Sequence, residues 1–496
     1  MDFMDPQHRR RNDAMVLLGY VLIGVALLLL TTILVFMAYG FGYKNGEVIQ
    51  SGLLFLSSRP GSAEITIDGT RYKDNTNTKL TLPAGNYSFA LSRTGYRTWQ
   101  RSIAIQGGEV ESYTYPFLFP TSLTATTRQT YNAAPALVTE SPDRRWLLVT
   151  RPGSLTSFDM YDLTKPQRDP ALLTLPDGIL TSSSDAAQTL ALVEWSGDSN
   201  DVLLQHTFDK KTEYIMLSRS NPTDSFNLTA KLALPLTGVQ VQMSNEHYDR
   251  YIVFNTVART LSRATLSAPT LQPYVTVPVL AFATAGDSTL LYATPDPADT
   301  GKVDINLLED QKASLIRRSA ANTTYLLALA DYDGDLYAAA NAASEDIGYI
   351  YKDPATQVAN PLLGVAVPVR TFHLKNISYV SVAPGAQYIL FESGTSFAAY
   401  DLANELGFTY TVPNTLEAPQ AHAAWMDGAH LLYISQGQTI VFDYDGQNRQ
   451  TLVSADPRYQ PLFDPNYTFL YTFVPAATDH AQELLTSTSL RTPADQ

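Results

Sequence analysis

The sequence predicts an all-β exported chain behind a single N-terminal transmembrane helix. Three observations predict this fold class: a charge-free run of thirty residues near the N-terminus, about seventy residues of short alternating strands after it, and a turn-and-strand motif that recurs eight times in the remainder. We therefore expect a small β-sandwich followed by an eight-bladed β-propeller, with seven blades as the alternative.

Changes in residue pattern divide the 496 residues into seven segments. Length alone would allow about three domains, but large all-β folds often exceed the usual length of one domain. The predicted segments are a cytoplasmic tail (1–13), a transmembrane signal anchor (14–43), a juxtamembrane link (44–50), a β-sandwich (51–118), a linker (119–135), a β-propeller (136–490) and a C-terminal tail (491–496).

The charge-free run from Ala14 to Tyr43 is long enough to cross a membrane. A bilayer core about 30 Å thick needs roughly 20 apolar helical residues, and a helix satisfies its own backbone hydrogen bonds in lipid. The cluster Arg9–Arg11 precedes the run, so the positive-inside rule predicts a cytoplasmic N-terminus and an exported remainder. A cleavable signal peptide is the alternative, but its apolar core is usually only about 7–15 residues long.

Composition limits the partners and the chemistry of the exported part. The chain has 34 basic and 48 acidic residues and a net charge of −14. Because nucleic-acid binding depends on Lys and Arg neutralising phosphates, an acidic chain makes nucleic acid an unexpected partner. The chain has no cysteine, so an exported fold must be held by burial of apolar residues and not by disulfides.

Short strands with alternating residues follow the anchor. Clear examples are Ala63–Ile67, Asn86–Leu91 and Arg101–Ile105. The pair Asp68-Gly69 predicts a tight hairpin, because glycine takes a positive φ without steric cost. These features predict a β-sandwich.

Three motifs of this segment form a recognisable set: Ile65-Thr66-Ile67-Asp68-Gly69, Leu82-Pro83-Ala84-Gly85-Asn86-Tyr87 and Leu91-Ser92-Arg93-Thr94-Gly95-Tyr96. With them, residues 51–118 resemble a PEGA domain. Two elements depart from the family pattern: Pro60-Gly61-Ser62-Ala63 replaces the namesake tetrad, and Asn75-Thr76-Asn77-Thr78 stands where Gly-x-Thr-Pro is usual. The resemblance implies an extracytoplasmic spacer or binding module near bacterial cell surfaces, without catalytic residues. We expect Tyr87, Tyr96 and Trp99 to be core aromatics and not ligand platforms.

The rest of the chain repeats a turn followed by a short apolar strand. The copies start 38 to 55 residues apart, a spacing typical of four-stranded propeller blades. Proline, aspartate, serine and glycine supply the turn geometry. The eight copies are SPDRRWLLV from Ser141, SGDSNDVLLQ from Ser196, SNEHYDRYIVF from Ser244, AGDSTLLYA from Ala285, YDGDLYAAA from Tyr332, APGAQYILF from Ala383, MDGAHLLYI from Met426 and DPNYTFLYTF from Asp464.

Two copies carry a tryptophan at the turn, in Trp195-Ser196-Gly197-Asp198 and Trp425-Met426-Asp427-Gly428. Several later strands end in a recurring triplet such as Tyr400-Asp401-Leu402. In these respects the chain from about 135 to 490 is similar to degenerate TolB-like and WD40-like propellers. The resemblance implies a fold more than a function.

A search for catalytic motifs finds none. The sequence has no Gly-x-Ser-x-Gly elbow, no phosphate-binding loop and no zinc motif. The histidines are scattered singly, and we expect turn or surface residues at His8, His206, His247, His373, His422, His430 and His480. The sequence therefore predicts no catalytic, cofactor-binding or metal-binding residue.

Two acidic stretches raise the alternative of calcium binding, Asp331–Asp335 and Asp443–Gly446. An EF-hand loop needs glycine at its sixth position and glutamate at its twelfth. Counted from Asp331, Gly334 is fourth and Ala342 is twelfth. We therefore expect plain hairpin turns, with calcium as the less favoured reading.

The function that these patterns favour is binding. We expect a membrane-anchored protein whose propeller recognises a protein or a cell-envelope glycan while the sandwich serves as a stalk. One alternative is an enzyme that acts on an envelope glycan or peptide in the propeller channel. The other is the outside half of a sensor complex, which would need a separate cytoplasmic partner because only about thirteen residues precede the anchor.

Overall fold

The computed structural model describes residues 6–38, 40–44, 47–183, 187–413, 415–417 and 422–495. They fall into two compact units, the first comprising 1–122 with 491–496 and the second comprising 123–490. Apart from one long N-terminal helix, regular structure in the described residues is almost entirely β. The helices are α1 (Pro6–Ala38), α2 (Leu228–Lys231) and α3 (Pro354–Ala359), with 3-10 turns at Pro222–Asp224 and Ala343–Glu345.

The N-terminal helix α1 contains the predicted apolar segment. Its stretch Ala14–Phe36 is 23 residues long, none of it buried inside the protein. This length and composition suit a membrane span, and a signal sequence has the same features. The predicted end of the segment at Tyr43 is wrong, because the helix stops at Ala38. Gly40 follows with a φ of 71°, a left-handed conformation that commonly ends helices.

Eight strands form two sheets in the described part of the first unit. One sheet has the order β4-β3-β6-β7, and in the other β2 lies between β1 and β5 and also pairs in parallel with β8. The strands are β1 (Phe41–Lys44), β2 (Glu47–Leu56), β3 (Glu64–Ile67), β4 (Thr70–Asn75), β5 (Thr78–Pro83), β6 (Gly85–Ser92), β7 (Trp99–Ile105) and β8 (Val110–Tyr113).

The predicted juxtamembrane link at 44–50 is wrong for Lys44 and for residues 47–50, which lie in strands, while residues 45 and 46 lie outside the described residues. The chain reverses after β1 and runs back beside it as β2, with Phe41 opposite Gln50. Backbone pairing with β1, and not an apolar pattern, makes this polar stretch a strand.

Alternation along the strands builds the core of the sandwich. Strand β7 alternates between buried and exposed residues along its whole length. Its Trp99 is fully buried and packs in one cluster with Tyr87 and Tyr96, which are 8% and 5% exposed. The prediction that these three aromatics belong to the core is confirmed.

The residues from 491 to 495, predicted to form a tail, lie against the sandwich. Tyr96 Oη donates a hydrogen bond of 2.7 Å to Asp495 Oδ2, and Thr492 N donates one of 3.1 Å to the same hydroxyl. Arg93 forms an ion pair with Asp495. The prediction of a tail is therefore wrong for these residues. The Tyr96 ring is buried in the core, and its hydroxyl finds its polar partners in Thr492 and Asp495, which holds this segment in place.

The second unit consists of eight antiparallel sheets of four strands each, counted over its described residues. The first sheet contains β10 (Val138–Glu140), β11 (Trp146–Thr150), β12 (Ser157–Asp162) and β13 (Ala171–Thr174), and the second contains β14 (Thr189–Trp195), β15 (Asp201–Phe208), β16 (Lys211–Ser218) and β17 (Phe226–Asn227). The third sheet contains β18 (Val239–Ser244), β19 (His247–Asn255), β20 (Thr260–Thr265) and β21 (Gln272–Pro273). The fourth sheet contains β22 (Ala281–Ala285), β23 (Thr289–Pro295), β24 (Lys302–Glu309) and β25 (Lys312–Ala320).

The next four sheets repeat the same connectivity. The fifth sheet contains β26 (Tyr325–Tyr332), β27 (Asp335–Ala342), β28 (Ile347–Lys352) and β29 (Arg370–His373), and the sixth contains β30 (Tyr379–Val382), β31 (Tyr388–Ser393), β32 (Ser396–Asp401) and β33 (Leu406–Thr411). The seventh sheet contains β34 (Ala424–Trp425), β35 (His430–Ser435), β36 (Gln438–Asp443) and β37 (Gln450–Ser454). The eighth sheet contains β38 (Leu462–Phe463), β39 (Phe469–Pro475) and β40 (Glu483–Ser489), and its fourth strand is β9 (Ala125–Tyr131), from the start of the unit.

Strand β9 corrects the predicted linker at 119–135. It pairs antiparallel with β40, Tyr131 lying opposite Glu483. The segment is rich in threonine, which suggests polar filling, but threonine is β-branched and favours strands. Because β9 is an outer strand with mostly exposed side chains, its sequence lacks an apolar pattern.

Each copy of the repeated motif lies at the hairpin between the first and second strands of one sheet. In the first sheet, the Ser141 hydroxyl donates to Asp143 Oδ1 at 2.5 Å and accepts from Trp146 N at 2.9 Å. The second sheet repeats this arrangement, with Ser196 Oγ 2.6 Å from Asp198 Oδ1. The recurring serine and aspartate therefore close the hairpins.

Neighbouring sheets pack through shared apolar clusters. One cluster joins Leu148 of the first sheet to Val202 of the second, and another joins Leu147 of the first to Tyr471 of the eighth. Tyr467 in the eighth sheet also donates to the Met426 carbonyl beside the seventh, at 3.3 Å. The eighth sheet therefore contacts both the seventh and the first.

The two tryptophans of the motif connect adjacent sheets. Trp195 Nε1 in the second sheet donates to Thr139 Oγ1 in the first at 2.9 Å. Trp425 Nε1 in the seventh sheet donates to Ser381 Oγ in the sixth at 3.0 Å. The tryptophan at this position is thus a bridge between first strands.

Candidate functional site

Two neighbouring cavities lie between the first strands of the sheets, and Leu192 lines both. The first cavity has a volume of about 290 Å³ and takes its walls from the first, second, seventh and eighth sheets. The second has a volume of about 380 Å³ and lies among the second, third and fourth sheets. Concave sites of this size are where small ligands and protruding groups of larger partners bind.

Local structure places polar groups around the first cavity. Glu140 ends β10 immediately before the first hairpin motif, and Tyr433 lies in β35 with its ring edge-on to Phe442 at 5.7 Å. The loop from Pro457 to Pro461, which leads into β38, forms another wall. Its start is fixed by Asp456, whose Oδ1 accepts from a backbone N–H two residues later at 2.8 Å.

Glu140 contributes a carboxyl group that is only partly hydrogen-bonded. Its Oε2 atom is buried and has no hydrogen-bond partner among the described residues. Burial raises the pKa of Glu140 to about 7, opposed by the charge of Arg144 and by a backbone hydrogen bond from Phe463. The carboxyl group therefore keeps its proton to a higher pH than an exposed glutamate does.

Tyr433 contributes an uncommitted hydroxyl group. The residue is only 3% exposed, and its hydroxyl makes no hydrogen bond within the described part of the chain. A buried polar group without a partner costs free energy, so such groups in native proteins call for an explanation. The hydroxyl has essentially no accessible surface, so the protein encloses it and it does not open into the cavity.

The other charged groups of the first cavity are already committed. Arg458 Nη2 donates to Asp456 Oδ2 at 2.7 Å and to Glu483 Oε2 at 2.5 Å. Glu417 accepts from the backbone N–H of Gln436 at 2.7 Å and so holds the β35–β36 hairpin. Glu140 is held less firmly, because its carboxyl group accepts only the backbone hydrogen bond from Phe463.

A second buried acid supports the wall that carries His422. The His422 ring stacks on Tyr379 with a centroid distance of 3.7 Å. Glu392, 1% exposed, accepts from Ala423 N at 2.9 Å, and its Oε1 has no partner within the described residues. Burial raises the pKa of Glu392 to about 8, with the backbone hydrogen bond opposing this change. Glu392 is therefore largely protonated at neutral pH.

Polar side chains that line the second cavity make hydrogen bonds within the protein. Glu194 accepts a hydrogen bond from the Met243 backbone. Burial, reinforced by Glu246, raises the pKa of Glu194 to about 7 against that hydrogen bond. Gln242 Nε2 donates to Thr284 Oγ1 at 3.3 Å. The first cavity, which is lined by Glu140, Glu417 and Arg458, is the stronger candidate site.

Two of the seven histidines contradict the predicted turn or surface placement. His206 is fully buried in β15 and His430 is 2% exposed in β35. Both are paired with acids, at 2.8 Å from Glu213 and 2.8 Å from Asp427 respectively. The histidines at exposed positions are His247, His373 and His480, whereas His422 is half-buried at the first cavity, and the side chain of His8 lies outside the described residues.

The acidic stretches considered for calcium form turns. Asp333 and Gly334 have φ angles of 52° and 84° and connect β26 to β27, while Asp335 pairs with Lys352 at 2.8 Å. In the other stretch, Asp443 Oδ2 accepts from an asparagine amide at 2.8 Å. The described residues contain no group of three or more acidic or histidine side chains that could hold a metal.

Sequence reasoning missed Glu140, Tyr433 and Glu392. One signal for Glu140 was available, though it is shared: the residue before the motif is apolar or tryptophan in five copies, but an acid in the first and the fifth, Glu140 and Asp331. Tyr433 and Glu392 lie in strands whose sequence resembles any buried strand, so only the three-dimensional structure distinguishes them.

Comparison with known proteins identifies the sandwich. Residues 51–117 match the family model of the PEGA domain, as their motifs indicated. No curated protein matches the chain. Among similar solved structures, oligogalacturonate lyase from Vibrio parahaemolyticus is 10% identical, with a TM-score of 0.39, and the match covers 76% of this chain and 100% of the lyase. Dipeptidyl peptidase 4 from Porphyromonas gingivalis is 12% identical, with a TM-score of 0.46, and the match covers 73% of this chain and 60% of the peptidase. Hsv2 from Kluyvelomyces marxianus is 11% identical, with a TM-score of 0.36, and the match covers 73% of this chain and 100% of Hsv2. At these identities and TM-scores the three similarities carry no inference about activity. The PEGA match is limited to the first unit.

Proposed function

We propose that this chain is a membrane-anchored, extracytoplasmic binding or scaffold protein of the bacterial envelope. In this proposal α1 is an uncleaved signal anchor with a cytoplasmic N-terminus, and the PEGA domain is a stalk. The three arginines before the apolar segment support the orientation, and the PEGA domain supports an exported location.

The second unit is the recognition head, an eight-bladed β-propeller. Eight consecutive four-stranded sheets support this assignment, as does the completion of the last sheet by β9 from the opposite end of the unit. When a strand from the start of the unit completes its last sheet, the two ends of the ring are joined and no sheet edge is left unpaired between them. The apolar cluster between the eighth and first sheets supports the same closure.

The observation that carries the binding proposal is the first cavity. Its lining combines the apolar residues Leu192 and Ile434 with the polar residues Glu140 and Gln460. Apolar walls with a few convergent polar groups are typical of ligand sites. The ligand in this proposal is a protein or a cell-envelope glycan that inserts a group into the cavity.

Filling the cavity tests this proposal. We expect Leu192→Trp to weaken the binding of full-length protein to envelope fractions about tenfold or more, because the larger ring occupies the space that a ligand would take. Leu172→Trp is the matched control, since Leu172 is a 59% exposed leucine on the outer strand β13. Binding would be measured with the full chain in micelles, against separated glycan and protein fractions. Equal binding by the two variants, both folded, would contradict the proposal.

An enzyme acting on an envelope glycan or peptide is the second candidate, favoured by the pKa of Glu140. A carboxyl group that titrates near neutrality can serve as a general acid or base. Glycoside hydrolysis usually needs a second free carboxylate across the site, and Glu417 is occupied by two backbone N–H groups. Turnover that Glu140→Gln abolishes without loss of binding would favour this candidate. The same binding head would also suit the outside half of a sensor complex.

A further inference from the structure

We propose that the loop at residues 360–369 inserts into the surface of a lipid bilayer. The loop connects α3 to β29 in the fifth sheet, and none of its residues lines either of the two cavities. It goes beyond the proposed function, because a lipid surface is a different ligand from the one that the first cavity would hold. The two surfaces are separate, so either proposal can fail without the other.

The loop exposes five aliphatic side chains within eight residues. Leu362 is 92% exposed, and the others, each at least 42% exposed, are Leu363, Val365, Val367 and Val369. The sequence from 354 to 369 contains no charged residue. Single exposed apolar residues are common on soluble proteins, but a contiguous set of this kind marks an interaction surface.

Hydrogen bonds hold this loop in a defined shape. Asn360 Oδ1 accepts from Leu362 N at 2.9 Å, and the Asn360 carbonyl accepts from Gly364 N at 2.9 Å. Gly364 has a φ of 65°, a left-handed conformation that lets the chain turn back. Farther along, Val367 N donates at 2.7 Å to the side-chain oxygen of Gln357, whose amide nitrogen donates to the backbone of β28. A supported turn, and not a loose segment, therefore keeps the leucines in solvent.

The same hydrogen bonds suit the loop to lipid. A backbone N–H that enters a bilayer without a partner costs free energy, because no water is present to accept from it. Four of the nine residues from 361 to 369 donate their N–H within the protein and two have no N–H, so six of the nine bring no free donor. The four are Leu362, Leu363, Gly364 and Val367, and the two are Pro361 and Pro368.

Lipid fits this surface better than a protein partner does. Protein interfaces are rich in aromatic residues and arginine at their centre and make hydrogen bonds at a polar rim. From 361 to 369 every side chain is aliphatic, and none can donate or accept a hydrogen bond. A bilayer surface needs no such groups, because burial of apolar area is enough to bind it.

A bilayer is also available to the molecule. The stretch Ala14–Phe36 of α1 has the length and composition of a membrane span. Under the proposed function α1 anchors the chain, so lipid is present at high local concentration. A loop that inserts weakly would then still be occupied, because tethering raises the effective concentration of its partner.

Quenching of a fluorescent dye by lipid tests the inference in the full chain. Because the chain has no cysteine, Val365→Cys in the loop and Val257→Cys at the β19–β20 turn each provide one site for a polarity-sensitive dye. The labelled chain would be held by α1 in phosphatidylcholine nanodiscs and mixed with phosphatidylcholine vesicles. A nitroxide on the acyl chain near the headgroup would be carried by the nanodisc lipid in one arm and by the vesicles in the other.

We expect quenching of about half of the fluorescence at position 365 in at least one arm, because interfacial segments reach about 5–10 Å into the bilayer, the depth of the nitroxide. Position 257 should show little quenching in either arm. Replacing about a third of the phosphatidylcholine by anionic phosphatidylglycerol should change the quenching less than about twofold, because the loop carries no charge.

Variants of the leucines separate insertion from simple proximity to lipid. Leu362→Asp combined with Leu363→Asp should abolish the quenching at position 365, because two carboxylates resist transfer into lipid. Leu172→Asp is the matched control, since Leu172 is a 59% exposed leucine on the outer strand β13, and it should leave the quenching unchanged.

Three results would overturn the inference. The first is absence of quenching at position 365 in both arms, and the second is equal quenching at positions 365 and 257. The third is a dye response at position 365 that appears only when unlabelled chain or envelope protein is added, because the loop would then contact a second copy or a protein partner. Leu192→Trp should leave the quenching unchanged, and the leucine variants should leave binding to separated glycan and protein fractions unchanged, so failure of one proposal is distinguishable from failure of the other.

Discussion

Glu392→Gln should stabilise the chain at pH 8 and leave its stability nearly unchanged at pH 4.5. The folded protein keeps the carboxyl group of Glu392 protonated, because burial raises its pKa from 4.5 to about 8. The unfolded chain releases that proton above pH 4.5, so wild-type stability falls as pH rises from 4.5 to 8. One pKa unit corresponds to about 1.4 kcal/mol, and the accumulated loss at pH 7 is about 3 kcal/mol. Glutamine is uncharged and can still accept from Ala423 N.

The measurement is denaturant unfolding of the full chain at several pH values between 4.5 and 8. Glu405→Gln is the control, because its carboxylate is exposed on the β32–β33 turn. We expect the stability difference between the Glu392 variant and the wild type to grow steadily with pH. An equal difference at pH 4.5 and pH 8 would show that Glu392 is ionised in the folded protein and would contradict the prediction.

Glu213→Gln should have the opposite effect and destabilise the second unit by about 3 to 5 kcal/mol at neutral pH. Its carboxylate, 1% exposed, accepts from Thr181 N at 2.8 Å, from Thr181 Oγ1 at 2.6 Å and from Asn227 Nδ2 at 2.8 Å. His206 Nδ1 lies 2.8 Å away as well. Burial would raise the pKa of Glu213, but these hydrogen bonds outweigh it and lower the pKa to about 2. An amide would turn an N–H group toward donors.

The pH dependence of Glu213 has the sign expected of an acid with a lowered pKa. Its contribution is present above its unfolded pKa of 4.5 and is lost as the pH falls through about 2. The cost of Glu213→Gln should therefore shrink in acid, which thermal unfolding of the variant and the wild type at pH 3 and pH 7 would reveal. A loss of less than about 1 kcal/mol at pH 7 would mean that solvent satisfies these groups and that the network is not structural.

The parts of the fold that follow from local sequence were predictable. The charge-free run gave the apolar helix, and strand alternation with glycine-marked turns gave the sandwich. The recurring turn motif placed the first hairpin of each of the eight sheets. In each case residues a few positions apart carry the signal, because strand and turn periodicities are local.

The parts that depend on distant pairing were not predictable. Strand β9 is polar and becomes a strand only by pairing with β40, more than 350 residues later in the chain. The first cavity likewise assembles Glu140 with Tyr433, residues from sheets at opposite ends of the second unit. Burial of Glu392 and Glu140, which sets their pKa values, follows from this packing and has no trace in the local pattern.

The pairing of His206 with Glu213 follows from the geometry of one short turn. Asp209 and Lys210 both have positive φ and form a two-residue hairpin loop between β15 and β16. A two-residue loop of this kind fixes the register and places His206 directly opposite Glu213. A histidine opposite a glutamate on neighbouring strands suggests a paired histidine, not one on a surface turn.

Thiol labelling in intact cells tests whether an exported head holds its ligand in the first cavity. Because the chain has no cysteine, Gln460→Cys at the cavity and Val257→Cys, at an 83% exposed position, each introduce a single reactive thiol. A membrane-impermeant maleimide would be applied to cells that produce the protein and, separately, to the purified full chain. We expect rapid labelling at position 257 in both settings, and labelling at position 460 that is about tenfold slower in cells than in the purified chain because ligand shields it. Labelling of position 257 only after lysis would contradict export, and equal rates at position 460 in the two settings would contradict an occupied cavity.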